Sequence, residues 1–150
     1  MEKFGKSQSV SRTEDHRFLT GKGQYVDDIA PDGALLAFVF RSPVAHGDIT
    51  ELDVADARAS AGVKAVITAE DLRAAGIVAG MDAAVLENQD GTKAAAPRRP
   101  LLAEDRVRFL GEAVAVVIAE TLAQASDAAE LIGFDYQELD THLALQEGGP

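Results

Sequence analysis

The 150-residue chain has no cysteine and no tryptophan, and only six phenylalanines and two tyrosines. Without a thiol it cannot form a disulfide, a thiolate metal site, a protein-ligated iron–sulfur cluster or a cysteine nucleophile of its own. So few aromatics leave Val, Ile, Leu and Ala to build the core. No apolar run reaches the 18 residues that would suggest a membrane-spanning helix. The opening Met-Glu-Lys-Phe-Gly-Lys-Ser-Gln lacks the apolar stretch of a secretory signal, so the default expectation is a cytoplasmic address. Cationic excess is also missing: 25 acidic residues face 14 Lys and Arg, for a net charge of −11. That balance argues against nucleic acid, whose binding needs clustered cations to displace counterions, and against an anionic membrane surface.

What is present is one domain's worth of ordinary globular sequence. The apolar share is 47%, and a chain of this length buries roughly 68–70% of the surface its unfolded form exposes. Residues 1–20 are polar and aperiodic and read as an extended arm. Ala34 to Arg41 is an apolar run of strand length stopped by Ser42-Pro43, and His46 to Val54 alternates as a second strand. Asp53 or Asp56 could cap a short helix to Ala61, stopped by Gly62. Val63 to Ile67 is a β-branched strand. Thr68-Ala-Glu-Asp71 has the hydroxyl-x-x-acid spacing that satisfies free amides at a helix start, and Gly76 ends that helix.

From Gly76 to Pro100 the chain is rich in Ala and Gly, a loop length that is unusual inside a compact domain and reads as a mobile surface loop or a binding loop. Arg106 to Leu110 alternates as a half-exposed strand. Gly111-Glu112-Ala113 turns the chain into Ala113–Ala119, an apolar run suited to a strand covered on both faces. Thr121 with Gln124 forms a second capping box. It opens a helix from Leu122 to Ile132 with Leu122, Ala125, Ala129 and Ile132 on one stripe, and Phe134 to Leu139 closes as a strand. The order β-β-α-β-α, loop, β-β-α-β hints at two loosely similar halves.

Chemistry is sparse. His16, His46 and His142 are scattered, with no second ligand at helical spacing. Gly21-Lys-Gly23 lacks the strand-turn-helix setting of a dinucleotide fingerprint, and no phosphate loop or nucleophile-elbow motif occurs. Asp27, Asp28 and Asp32 cluster, but Pro31 and the missing twelfth-position Glu do not suit an EF-hand, so they read as a polar turn. Glu14-Asp15 and Glu104-Asp105 are sequence neighbours, and any acid/base pair would have to come from the fold.

The order of several segments is more specific than any single one. Arg12-Thr-Glu-Asp-His-Arg-Phe18, Gly21 through Tyr25-Val-Asp-Asp28, Phe38-Val-Phe-Arg-Ser-Pro43, Ala45-His46 and Gly62-Val-Lys-Ala-Val-Ile-Thr68 with Asp71-Leu72 come first. Val107-Arg-Phe-Leu-Gly-Glu112, Val114 to Ala119, Ala128-Ala-Glu-Leu-Ile132, Asp135-Tyr136 and Glu138-Leu139 follow. Together they resemble the opening of the molybdenum-binding large subunit of the xanthine dehydrogenase/aldehyde oxidase/carbon monoxide dehydrogenase family.

The resemblance implies an α+β fold, an a/b hammerhead-like domain with a mixed sheet and short helices, over residues 21–145, preceded by the arm at 1–20. It implies a whole enzyme that oxidises aldehydes, N-heterocycles or CO at a molybdopterin centre, with iron–sulfur clusters and FAD on partner subunits in the manner of carbon monoxide dehydrogenase. Two departures stand out: Gly111-Glu-Ala-Val-Ala115 lacks the family's turn proline, and Leu139-Asp-Thr-His142 replaces its Leu-Pro continuation. The family's pterin-binding glycine loops and catalytic glutamate are expected downstream of Pro150, so no catalytic, cofactor-binding or metal residue carries over. The expected role is docking, with Arg12, Asp15, Arg17 and Phe18 of the arm as the interface residues. Two other readings stand beside it: a small stand-alone hammerhead protein that joins a separate molybdenum-binding chain non-covalently, and an unrelated binding module that uses 76–100 as a ligand lid.

Overall fold

A strand of alternating small and branched apolar residues lies at the centre of the larger unit. In the computed structural model, which describes residues 12–77, 80–81, 86–94 and 98–141, β7 (Ala113–Ala119) is flanked by β1 (Leu36–Arg41) and β3 (Val63–Thr68). A second three-stranded sheet has the order β6 (Arg106–Val107), β2 (Gly47–Asp53), β8 (Gly133–Glu138). A two-residue ladder joins β4 (Gly80–Met81) to β5 (Arg99–Pro100). Every pairing among the described residues is antiparallel, where a mixed sheet was expected. The reason is that β1 and β3 run in the same direction but do not touch, because β7 enters between them in the opposite sense.

β7 is covered on both faces, as its unbroken apolar run requires. Ala115, Val117 and Ala119 point into a cluster with Ala125, Ala128, Ala129 and Ile132, while Val114 enters a second cluster with Val44, Ala103 and Val107. Phe40 and Leu52 pack against both clusters. The alanines of β7 and of helix α4 (Leu122–Ala129) leave no bulk between them, so α4 lies close on the β1–β7 surface.

The remaining helices are α2 (Ala55–Ala59) and α3 (Ala69–Ala74). Of the two candidate caps for α2, Asp53 accepts the Ala55 amide at 2.9 Å, and Asp56 sits in the first turn. Both hydroxyl caps are present. Thr68 and Asp71 bond reciprocally at the start of α3, and Thr121 and Gln124 do so at α4.

In the larger unit three elements depart clearly from expectation. The strand expected over Arg106–Leu110 ends at Val107, because Gly47 and Asp48 are the only β2 residues in register with it. The helix begun at Leu122 stops at Ala129, and Leu122 is 53% exposed, outside the stripe that Ala125, Ala129 and Ile132 do share. The segment 76–100 is more structured than a plain loop. Besides the β4–β5 ladder, Glu87 bridges Lys93 around an Asn88–Asp90 turn.

Contacts divide the chain into residues 1–34 and 35–150. In the first unit the arm, expected to be extended, contains a helical turn, α1 (Asp15–Leu19). Local groups favour it: the Asp15 carboxylate accepts the Arg12 amide at 3.2 Å, Glu14 and Arg17 pair one turn apart, and Thr20 donates to the His16 carbonyl at 2.7 Å.

Candidate functional site

Three of the four candidate interface residues of the arm, Asp15, Arg17 and Phe18, lie on α1, and Arg12 sits just before it. Arg12 and Asp15 bond each other through backbone and carboxylate, and the Arg17 guanidinium pairs with Glu14 while lying 5.5 Å from the Phe18 ring centre. Phe18 stacks on Tyr25 with centroids 5.7 Å apart and planes 12° apart. A Cβ at Gly23 would overlap the Phe18 ring, so glycine is what lets the chain pass beneath it. The polar groups are thus satisfied locally. What the unit offers outward is apolar: Phe18 is 41% exposed, and Leu19, Val26 and Ile29 are more so. Asp28 accepts the Tyr25 amide at 2.8 Å, which gives the aspartate cluster a turn-stabilising role.

Of the three histidines, His16 sits on α1 of the first unit, His46 in the larger unit bonds the Asp140 carbonyl through Nδ1 at 2.7 Å, and His142 lies outside the described residues. No group of three His, Asp or Glu suited to a metal exists among the described residues. Glu104 pairs with Arg98 at 2.7 Å, and Asp48 meets Arg106 at 2.5 Å. The hydrogen bond from Arg106 holds the Asp48 carboxyl below its usual range and raises the guanidinium in return.

An open hollow of about 690 Å³ lies between β2 and α3. Its rim carries Glu51, Asp53, Glu70, Asp71, Glu104 and Asp105 against Arg58 and Arg73, and Arg58 is already bound to Asp71. A field of that sign repels an anionic ligand.

The most elaborately built feature lies where alternation predicts a strand. Two of the ordered segments, Arg41-Ser-Pro43 and Arg108 to Glu112, meet edge to edge. Ser42 receives its amide bond from outside the turn's own strand: its N–H donates to the Glu112 carbonyl at 2.8 Å, and Gly111 N–H donates back to Ser42 O at 3.0 Å. Arg41 Nη1 donates to Gly111 O at 2.9 Å, aimed there by a bulge where β1 and β7 slip by one residue. The Glu112 carboxylate, 5% exposed, accepts the Arg108 amide at 2.5 Å and fixes the turn from below. Gly111 takes φ +83°, a conformation that favours glycine. At the tip stand Phe109 and Leu110, 58% and 69% exposed. Gly111-Glu112 after two apolar residues is the signal of such a turn, but alternation alone does not separate a strand from a turn of this length.

The family model of the aldehyde oxidase and xanthine dehydrogenase a/b hammerhead domain matches residues 20–140. The chain belongs to this family. Its hammerhead domain is 42% identical over 146 residues to the nicotine 6-hydroxylase large subunit of Paenarthrobacter nicotinovorans, covering 94% of the chain and 17% of that protein. It is 40% identical over 131 residues to the carbon monoxide dehydrogenase large chain of Hydrogenophaga pseudoflava, covering 84% of the chain and 14% of that protein. A solved Cu,Mo-CO dehydrogenase superposes with a TM-score of 0.72 at 36% identity, covering 87% of the chain and 15% of that structure. The hammerhead domain therefore spans about a sixth of the relatives it matches.

Proposed function

We propose that this hammerhead domain is the N-terminal structural and docking part of the large subunit of a molybdopterin-dependent hydroxylase or dehydrogenase. The whole enzyme would oxidise an aldehyde, an N-heterocycle or CO, with iron–sulfur and FAD subunits as its partners and a cytoplasmic address. One observation carries the reading: a match running over residues 20–140 that corresponds to about a sixth of relatives named as large subunits. The superposed CO dehydrogenase is a copper- and molybdenum-containing enzyme, which supports the cofactor of the intact protein.

The described residues do not fit that cofactor. A molybdopterin carries phosphate, and the 690 Å³ hollow presents six carboxylates against two arginines. The turn at Arg108–Gly111 presents Phe109 and Leu110 at its tip, and the flanking Arg41 and Arg108 each donate to a backbone carbonyl. The chemistry is accordingly assigned to the rest of the subunit, and this domain's residues contribute packing. Within that role the exposed apolar side of α1, with Asp15, Arg17 and Phe18 on the helix and Arg12 just before it, is our proposed arm interface.

Antibody capture from native cells followed by denaturing mass spectrometry tests the reading. The expected polypeptide is several times heavier than 15.8 kDa and carries molybdenum when captured without denaturation. A 15.8 kDa species would overturn it in favour of a stand-alone hammerhead module, as would molybdenum or pterin bound tightly by the 150 residues alone.

A further inference from the structure

The turn at Arg108–Gly111 is built at some cost for a connector between two strands. Glu112 and Ser42 are buried polar residues, 5% and 3% exposed: the Glu112 carboxylate accepts the Arg108 amide within the turn, the Ser42 hydroxyl bonds Val44 within its own segment, and backbone bonds from Ser42 to Glu112 and from Gly111 to Ser42 join the two. Buried polar groups that are fully satisfied rigidify what they hold. A connector needs nothing more than small polar turn residues at its tip. Here the network instead holds a phenylalanine and a leucine outward, both more than half exposed.

Charge adds a second, independent observation. In a chain of net charge −11, Arg41 and Arg108 flank the apolar tip, and neither forms an ion pair among the described residues. Arg41 bonds the Gly111 carbonyl and Arg108 the Arg106 carbonyl, each through Nη1, which leaves other guanidinium donors directed at solvent. An aromatic and an aliphatic side chain bordered by arginines is the composition found at the centres of protein interfaces.

Resting on the proposed function above, we propose that this knuckle is the anchor by which the hammerhead domain docks on the remainder of its own large subunit. Phe109 and Leu110 enter an apolar pocket there, and carboxylates on the pocket rim pair with Arg41 and Arg108. The occupant follows from the length of the relatives, of which this domain is about a sixth. Its carboxylate rim follows from the position of Arg41 and Arg108 beside the apolar tip, each spending one Nη1 donor on a backbone carbonyl.

The test uses the intact large subunit and phenylglyoxal, which modifies accessible guanidinium groups. Modification of Arg41 and Arg108 is followed by peptide mass spectrometry in the wild-type subunit and in the F109S/L110S variant, whose altered side chains lie mostly in solvent within this domain. Both arginines are expected to react slowly in the wild type and at least about tenfold faster in the variant, the effect expected of removing a central interface residue. Leu122→Ser, exposed on α4, is expected to leave both rates unchanged. Fast modification in a wild-type subunit that still holds molybdenum would overturn the anchor and leave the functional reading standing. Slow modification that the variant does not change would overturn it too. A native polypeptide of only 15.8 kDa would remove both.

Discussion

Asp71 is the residue where helix start, strand end and charge meet. Its carboxylate accepts the Thr68 amide at 2.8 Å and the Thr68 hydroxyl at 2.7 Å, and Arg58 reaches both of its oxygens at 2.8 and 2.9 Å. Burial pushes this carboxyl up, but the Thr68 bonds and the Arg58 charge outweigh it and hold it below the ordinary aspartate range. The Arg58 link is half in solvent and adds little, so the cap dominates. Because the folded pKa lies below the unfolded one, the contribution is present above the unfolded value, about 3.9, and fades as pH falls through the folded value. Asp71→Asn is therefore expected to lose about 1–2 kcal/mol in urea unfolding at neutral pH. The gap from wild type should close in acid. A gap that stays constant down to low pH would show that the charge of Asp71 plays no part. This node was legible in sequence because Thr-x-x-Asp is a local pattern. Its Arg58 arm, thirteen residues away, was not.

At the scale of elements, Gly62 links two of them. It takes φ +82° between α2 and β3, its carbonyl accepts the Glu120 amide at 3.0 Å, and a Cβ there would overlap the Gln124 carboxamide that caps α4. Gly62→Ala thus meets two penalties, the left-handed backbone and a displaced cap. A loss of roughly 2–3 kcal/mol is expected in thermal or urea unfolding. A loss no larger than a few tenths would mean that Gln124 can move aside freely. The sequence announced Gly62 as a stop, and it announced both capping boxes and β7, because these depend on a few neighbouring residues. It could not show where β6 ends, since Arg106 to Leu110 alternates whether or not a partner strand lies alongside. Nor could it show that Leu122 is exposed: periodicity marks a helix face, but only the neighbouring layer decides how far along that face burial extends.

For the whole molecule, the net charge of −11 opposes compaction, while five solvent-exposed ion pairs among the described residues return little. Raising ionic strength from about 0.01 M to about 0.15 M shortens the screening length from about 30 to about 8 Å and should raise the thermal midpoint. A falling midpoint would put the ion pairs in control. The fold class was readable because resemblance in segment order spans the domain. The knuckle was not, since it arises where Arg41 and Gly111, seventy residues apart, meet. Separation along the chain also governs β7. It is the shared partner of β1 and β3, yet it follows them by dozens of residues, and β2 likewise pairs with the late β8. A growing polypeptide therefore leaves the ribosome with β1, β2 and β3 all lacking the strands that complete their sheets. Until Ala119 has emerged β1 and β3 are open edges, and β2 lacks β8 until Glu138, so both sheets close only once nearly all of the domain has been made.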